Sequence, residues 1–270
     1  MYTRQGRNRG VARSGDAARR SACATILVAL GLVGCNREPA ARPSLAIAAA
    51  ANLTATLQAA APKFEAQTGI HPVFSFASTA QLAQQIENAA PFDIFLAADA
   101  SHAGQLDEEH LLSPGTRAVY AIGVLALWLP PDSPAAVSRI EDLASPSVRT
   151  IAIAKPELAP YGEAAVESLK SAGVWEQVLG KVVYAENIAM ARQYGSSGNA
   201  DAVFTAYSLV LHDPGKIIQV DEKLHHPIAQ ELGILASSKH QAEARKFTAF
   251  FLKGAGREIL RQYGYGFPKP

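Results

Sequence analysis

From residue 44 onward the chain alternates short apolar runs with amphipathic stretches, and two periods can be read in it. An apolar run at 45–51 predicts a buried strand. Leu53, Leu57, Ala60, Ala61 and Phe64 then recur at helical spacing, with Gly69 placed to end that helix. Residues 73–76 predict a second strand, Leu82, Ile86 and Ala90 a second helix, and residues 93–97 a third strand. The run IGVLALWL at 122–129 reads as one long strand buried on both faces. The pattern then restarts, with strands at 150–154, 182–185, 202–206, 217–220 and 228–235. Helices are predicted at 164–172, ahead of Gly173, and from residue 189. A final amphipathic helix over 241–263 presents Phe247, Phe250, Phe251, Ile259 and Leu260. Strands alternating with helices predict parallel sheets in an α/β fold.

The first 34 residues break this pattern. They hold six arginines and a single acid, Asp16, for a charge of +5. Because the whole chain carries +1, residues 35–270 carry −4. A mildly acidic body lacks the basic stripe that phosphate-backbone binding needs, so nucleic acid is not an expected partner. After the arginines comes the apolar run SACATILVALGLVG at 21–34, shorter than the roughly 20 residues a spanning helix requires. A basic region followed by a short apolar one predicts a secretory signal over 1–34. It ends in Leu32-Val33-Gly34-Cys35, which resembles the bacterial lipobox, so Cys35 is the expected lipidation site. Residues 35–43 then form a short tether. The only other cysteine, Cys23, lies in the removed segment, which leaves no thiol pair for a disulfide or a metal.

Ligands of open α/β sheets collect where strands end and helices begin. Four such junctions can be read: Ala50-Ala51-Asn52-Leu53-Thr54, Phe76-Ala77-Ser78-Thr79-Ala80-Gln81, Leu158-Ala159-Pro160-Tyr161-Gly162 and Ala185-Glu186-Asn187-Ile188-Ala189. None holds Lys or Arg. A helix start carries about half a positive charge and several unpaired N–H groups, so four facing one point could hold a dianion without any formal cation. Asn and Thr at such junctions are also ordinary helix caps that need no ligand. Spacing alone does not make the four ends converge.

The segments AAAANLTATLQ (48–58), FSFASTAQLAQQIENAAPFDIFLAAD (74–99), AIAKPELAPYGEAAVESLKSAGVW (152–175), AENIAMA (185–191) and RQYGYGF (261–267) resemble, in order, the molybdate-binding proteins of bacterial ABC importers. The resemblance implies a two-lobed α/β periplasmic-binding-protein fold of type II, with mixed, mostly parallel sheets joined by two crossing strands. Lobe one would be 44–121 plus 229–270, and lobe two 122–228. It implies an oxyanion, molybdate or tungstate, held as a ligand and not a cofactor, with contacts to its oxygens and not to the metal. Asn52 stands where many members have serine, with Ala51 offering backbone. Ser78 and Thr79 match the serine loop, Thr79 at the contacting place. Tyr161 and Ile188 match loops that use backbone N–H groups. Thr205, with Tyr207 nearby, stands where many members place a tyrosine donor, and the Tyr161 hydroxyl is the expected replacement. The expected partners are an ABC permease and its ATPase, with the membrane reached only through the lipid anchor. The implied molecule is a periplasmic or envelope monomer, and not an enzyme.

Molybdate and tungstate are fully deprotonated at neutral pH and suit a site made only of donors, whereas hydrogen phosphate also wants an acceptor. Glu186, the only carboxylate in the four loops, is expected to point away. A carrier for sulfate or another small oxyanion, or a sensing lipoprotein without an importer, stays open at this point. Other clusters carry less. His225, His226 and Glu231 match no metal-ligand spacing, the acidic run at 107–110 reads as a solvated helix end, and Gly195-Ser196-Ser197-Gly198 lacks the spacing of a nucleophile elbow.

Overall fold

A computed structural model of the protein describes residues 43–268. The segment read as an export signal, Cys35 and the tether as far as residue 42 lie outside the described residues. In chain order the elements are β1 (Ser44–Ala50), α1 (Thr54–Thr68), β2 (His71–Ala77), α2 (Thr79–Glu87), β3 (Ile94–Leu96), α3 (Ser101–Glu108), β4 (Ala118–Gly123) and β5 (Leu125–Leu129). They continue with β6 (Ile151–Ala154), α4 (Pro160–Ser171), α5 (Trp175–Val178), β7 (Val182–Ala185), α6 (Ile188–Ser196), β8 (Ala202–Ala206), α7 (Tyr207–Val210), β9 (Lys216–Gln219), β10 (Ile228–Ile234), α8 (Gln241–Lys253) and α9 (Ala255–Gln262). No helix among the described residues is long and apolar enough to cross a membrane.

The strands form two five-stranded sheets, ordered β2-β1-β3-β10-β4 and β7-β6-β8-β5-β9. In each, four strands run one way and a single strand runs against them, β10 in the first sheet and β5 in the second. These are the strands entered directly after the chain passes from one sheet to the other. The fold is therefore α/β and two-lobed, with the lobes joined by two crossings.

Both faces of each sheet are covered, as the apolar strands require. Leu45, Ile47 and Ala49 pack with Leu57, Phe64, Phe247 and Phe251, while Ala48 between them faces Leu82, Ile86 and Leu106. In the second sheet Leu125, Leu127 and Leu129 join Ile151, Ile153 and Leu169, while Ala126 and Trp128 face Ala191 and Val203.

Two segments differ from the sequence reading. The run at 122–129 is not one strand. Ile122 and Gly123 pair with β10, whereas Leu125 onward pairs with β8 and β9. The break falls at Val124, whose carbonyl accepts the Tyr207 N–H at 2.9 Å. Hydrophobicity cannot mark this crossing, because both sides of it are buried. The helix predicted over 241–263 is likewise two helices, broken at Gly254, whose extended backbone (φ −100°, ψ −152°) caps α9. The helix α3 was legible only through its acidic end.

Candidate oxyanion site

The parallel strands bring the helix starts together. Ala50 at the end of β1 is level with Ala77 at the end of β2, and Ala154 of β6 with Ala185 of β7. Each strand leads into a helix start of its own kind. After β1 a 3-10 turn over Ala51–Leu53 precedes α1. Ser78 caps α2 through a reciprocal bond pair with Gln81, Pro160 opens α4, and the Asn187 side chain accepts the Met190 N–H at 3.0 Å to cap α6. Gly162 seats α4, since a Cβ there would lie 2.1 Å from the Ala154 carbonyl oxygen.

These starts enclose a small, tight cavity lined by Ala51, Asn52, Ser78, Thr79, Tyr161 and Ile188, together with Ala50, Ala77, Ala98, Ala159, Pro160 and Asn187. All six residues singled out in the sequence thus face one space. No charged side chain is among the lining residues. The opening N–H groups of each helix have no acceptor within their own helix, so they supply the positive end of the cavity.

The side chains divide by what their protons do. The Thr79 oxygen accepts the Ala98 N–H at 3.1 Å, which leaves its own proton to be donated. The Tyr161 oxygen accepts from Gln230 Nε2 at 2.8 Å and is similarly placed. Burial pushes the Tyr161 and Tyr120 phenols well above their ordinary value and Tyr265 up to about 12, so all three remain protonated donors at neutral pH.

Two of the expected side chains have their protons engaged elsewhere in this structure. The Ser78 hydroxyl donates to Gln81 Oε1 at 2.8 Å, within the cap of α2. The Asn52 amide is turned inward: Nδ2 donates to Gln230 Oε1 and to Tyr265 OH, both at 3.0 Å, and Oδ1 is buried without a partner. In this arrangement the Asn52 amide hydrogens serve the buried network, while the residue itself lines the cavity. Thr205 is fully buried on β8, its hydroxyl is unpartnered, and it is not among the lining residues. Glu186 does turn away, pairing with Lys155 and accepting from Gln81 Nε2 at 3.5 Å.

Sequence reasoning missed Gln230. It is fully buried on β10, where an amide beside Glu231 in a strand otherwise apolar was the available signal. The clusters set aside in the sequence are explained by ordinary pairs, His226 with Glu167 and Glu231 with Arg117. No metal-binding group of His, Cys, Asp or Glu occurs among the described residues.

The model of a family described as bacterial extracellular solute-binding protein matches residues 45–266. The chain belongs to this family. As a solute-binding protein it is not an enzyme, and it is similar over most of its length to proteins named for binding. The molybdate-binding protein ModA of Rhodobacter capsulatus is 35% identical over 238 residues, which is 88% of this chain and 94% of that protein. Among solved structures, the periplasmic molybdate-binding protein of Azotobacter vinelandii superposes with a TM-score of 0.79 at 30% identity, covering 83% of this chain and 100% of that one. The substrate-binding domain assigned to a molybdenum ABC transporter of Clostridium difficile gives 0.64 at 30% identity, covering 84% and 99%. The solute-binding fold and the cavity therefore come from the same matched stretch of chain.

Proposed function

We propose that this solute-binding protein captures molybdate, and tungstate with it, in the cavity between its two sheets and hands it to an ABC permease driven by a separate ATPase. One observation carries the proposal: four helix starts, with Thr79 and Tyr161 among their residues, line a single cavity that contains no charged side chain. Such a site favours a bare dianion, because it offers donors in number and no carboxylate for a protonated anion to bond. The names of the similar proteins point to the same anion. The ligand is cargo, bound through its oxygens, and not a cofactor.

Lobe one is taken as 44–121 plus 229–270 and lobe two as 122–228, with closure about the crossings at Val124 and 220–227. The Ala80 N–H already reaches the Leu158 carbonyl at 3.2 Å across the cleft. An anion bridging both lobes stabilises this closed form. A signal over 1–34 and lipidation at Cys35 would tether it at the periplasmic envelope, a reading supported by the basic and apolar runs that lead to Cys35 and by the similar periplasmic proteins.

Calorimetric titration with molybdate, tungstate, sulfate and phosphate tests the ligand. Tight binding of the first two with no heat from phosphate is expected. Sulfate binding as tightly as molybdate would remove the assignment.

A further inference from the structure

A hydroxyl can donate or accept, and an anion of deprotonated oxygens is served only by a donor. What fixes the direction of the Tyr161 hydroxyl lies behind it, in a buried set of hydrogen bonds around Gln230 of β10. Gln230 Oε1 accepts from Asn52 Nδ2 at 3.0 Å and lies 2.7 Å from Tyr120 OH, whose one proton is shared with the Ala97 carbonyl at 2.9 Å. An amide nitrogen can only donate, so Asn52 Nδ2 holds the Gln230 oxygen on its own side and leaves Nε2 to the Tyr161 oxygen, to which it donates at 2.8 Å. With that lone pair occupied from the rear, the tyrosine proton is left the cavity side. Gln230 and Tyr161 are both essentially without solvent exposure, so water cannot replace either partner.

The first crossing makes room for the pair. A Cβ on Gly123 would lie 2.4 Å from the Tyr161 hydroxyl and 2.5 Å from Gln230 Nε2. Strand β10 thus supplies the amide and the first crossing supplies the space it needs.

We propose that Gln230 is a positioning residue for the anion: it touches no ligand itself, and its amide, cleared by Gly123, holds the Tyr161 hydroxyl as a donor into the cavity. This rests on the proposed function, and the test separates the two. Titration with molybdate is carried out on four forms of the full chain: the unaltered protein, Gln230→Met, Tyr161→Phe and the double variant. Loss of one hydrogen bond to a charged ligand corresponds to about tenfold or more in affinity. Tyr161→Phe should show that loss, Gln230→Met most of it, and the double variant little beyond Tyr161→Phe alone. Such coupling is not produced by a general loosening of the fold, which would weaken both backgrounds by the same factor. Equal effects in the two backgrounds, or unchanged affinity in Gln230→Met, overturn the proposal while leaving molybdate as the ligand. No binding by the unaltered protein removes both. If Gln230→Met does not fold, Gly123→Ala disturbs the same pair from the opposite side. It should lose affinity in the unaltered background and not in Tyr161→Phe, and any other result counts against the proposal.

Discussion

The two sheets meet around the cavity in two chemically different places. On the inner side, Asn52, Tyr120, Tyr161, Gln230, Tyr265 and Ser208 form a network in which the exposure of every member is 6% or less. At the mouth, Gln81 of α2 reaches Glu186 before α6, and Glu186 also holds Lys155; the two charged side chains of that pair are 46% and 35% exposed. Both join the same two halves. The buried set has no water to compensate a misdirected group, so its hydrogen bonds must be satisfied among its own members. The exposed set can break and re-form against solvent. Pairing of donors is thus settled on the dry side, and reversibility of closure on the wet one.

The largest effect should come from unseating the helix that spans this contrast. Gly162→Ala drives a Cβ into the Ala154 carbonyl oxygen, at 2.1 Å. The start of α4 must move, at a stability cost of about 1–3 kcal/mol. It takes with it both the Tyr161 N–H and its hydroxyl, so molybdate affinity should fall by about a hundredfold. Calorimetry alongside thermal unfolding measures the two losses separately.

Next in size is Thr79. Thr79→Val removes a donor from the cavity and leaves the Ala98 N–H buried without its acceptor. Affinity should fall by about tenfold and stability by about 1–3 kcal/mol. Thr79→Ser keeps both bonds and should restore most of each. Recovery of stability without recovery of affinity would show that the hydroxyl serves only the fold.

The alphabet of elements was largely legible, because buried parallel strands and amphipathic helices leave different periods in the chain. The six residues named from the sequence are among the twelve that line the cavity, since small and hydroxyl residues at strand ends mark helix starts. What the chain hid was direction. Ser78 and Thr79 are adjacent and chemically alike, yet one hydroxyl caps α2 and the other is free to donate, a distinction made by Gln81 and Ala98. Asn52 looked like a donor and is turned away by Gln230 and Tyr265, 178 and 213 residues distant. The passage from β4 to β5 was invisible for a related reason: pairing partners, not hydrophobicity, end one strand and begin the other.

The tyrosines sharpen the inner side through pH. In the folded protein burial raises all three phenols, Tyr265 to about 12, above the unfolded value near 10. A raised folded value means that the protonated form is the native one. The associated stability is complete below about pH 10 and is lost as pH climbs toward the folded value. Molybdate affinity should therefore be flat between about pH 7 and 9, with denaturant midpoints declining only above that range. A titration of affinity near neutrality would place the controlling group elsewhere.

The smallest effect belongs to the mouth. Glu186→Gln keeps the shape, removes the charge facing Lys155 and leaves an acceptor for Gln81. Exposed pairs of this kind contribute at most about 1 kcal/mol and are screened by salt. Equilibrium affinity should change by no more than about threefold, and the change should appear as faster release, because the contact exists only when the cleft is closed. Stopped-flow release at low and high salt checks this: the variant and the unaltered protein should differ at low salt and converge at high salt. If release is unchanged at low salt, the Glu186 bridge does not latch the cleft, and the buried network together with the bound anion suffices to keep the two halves together.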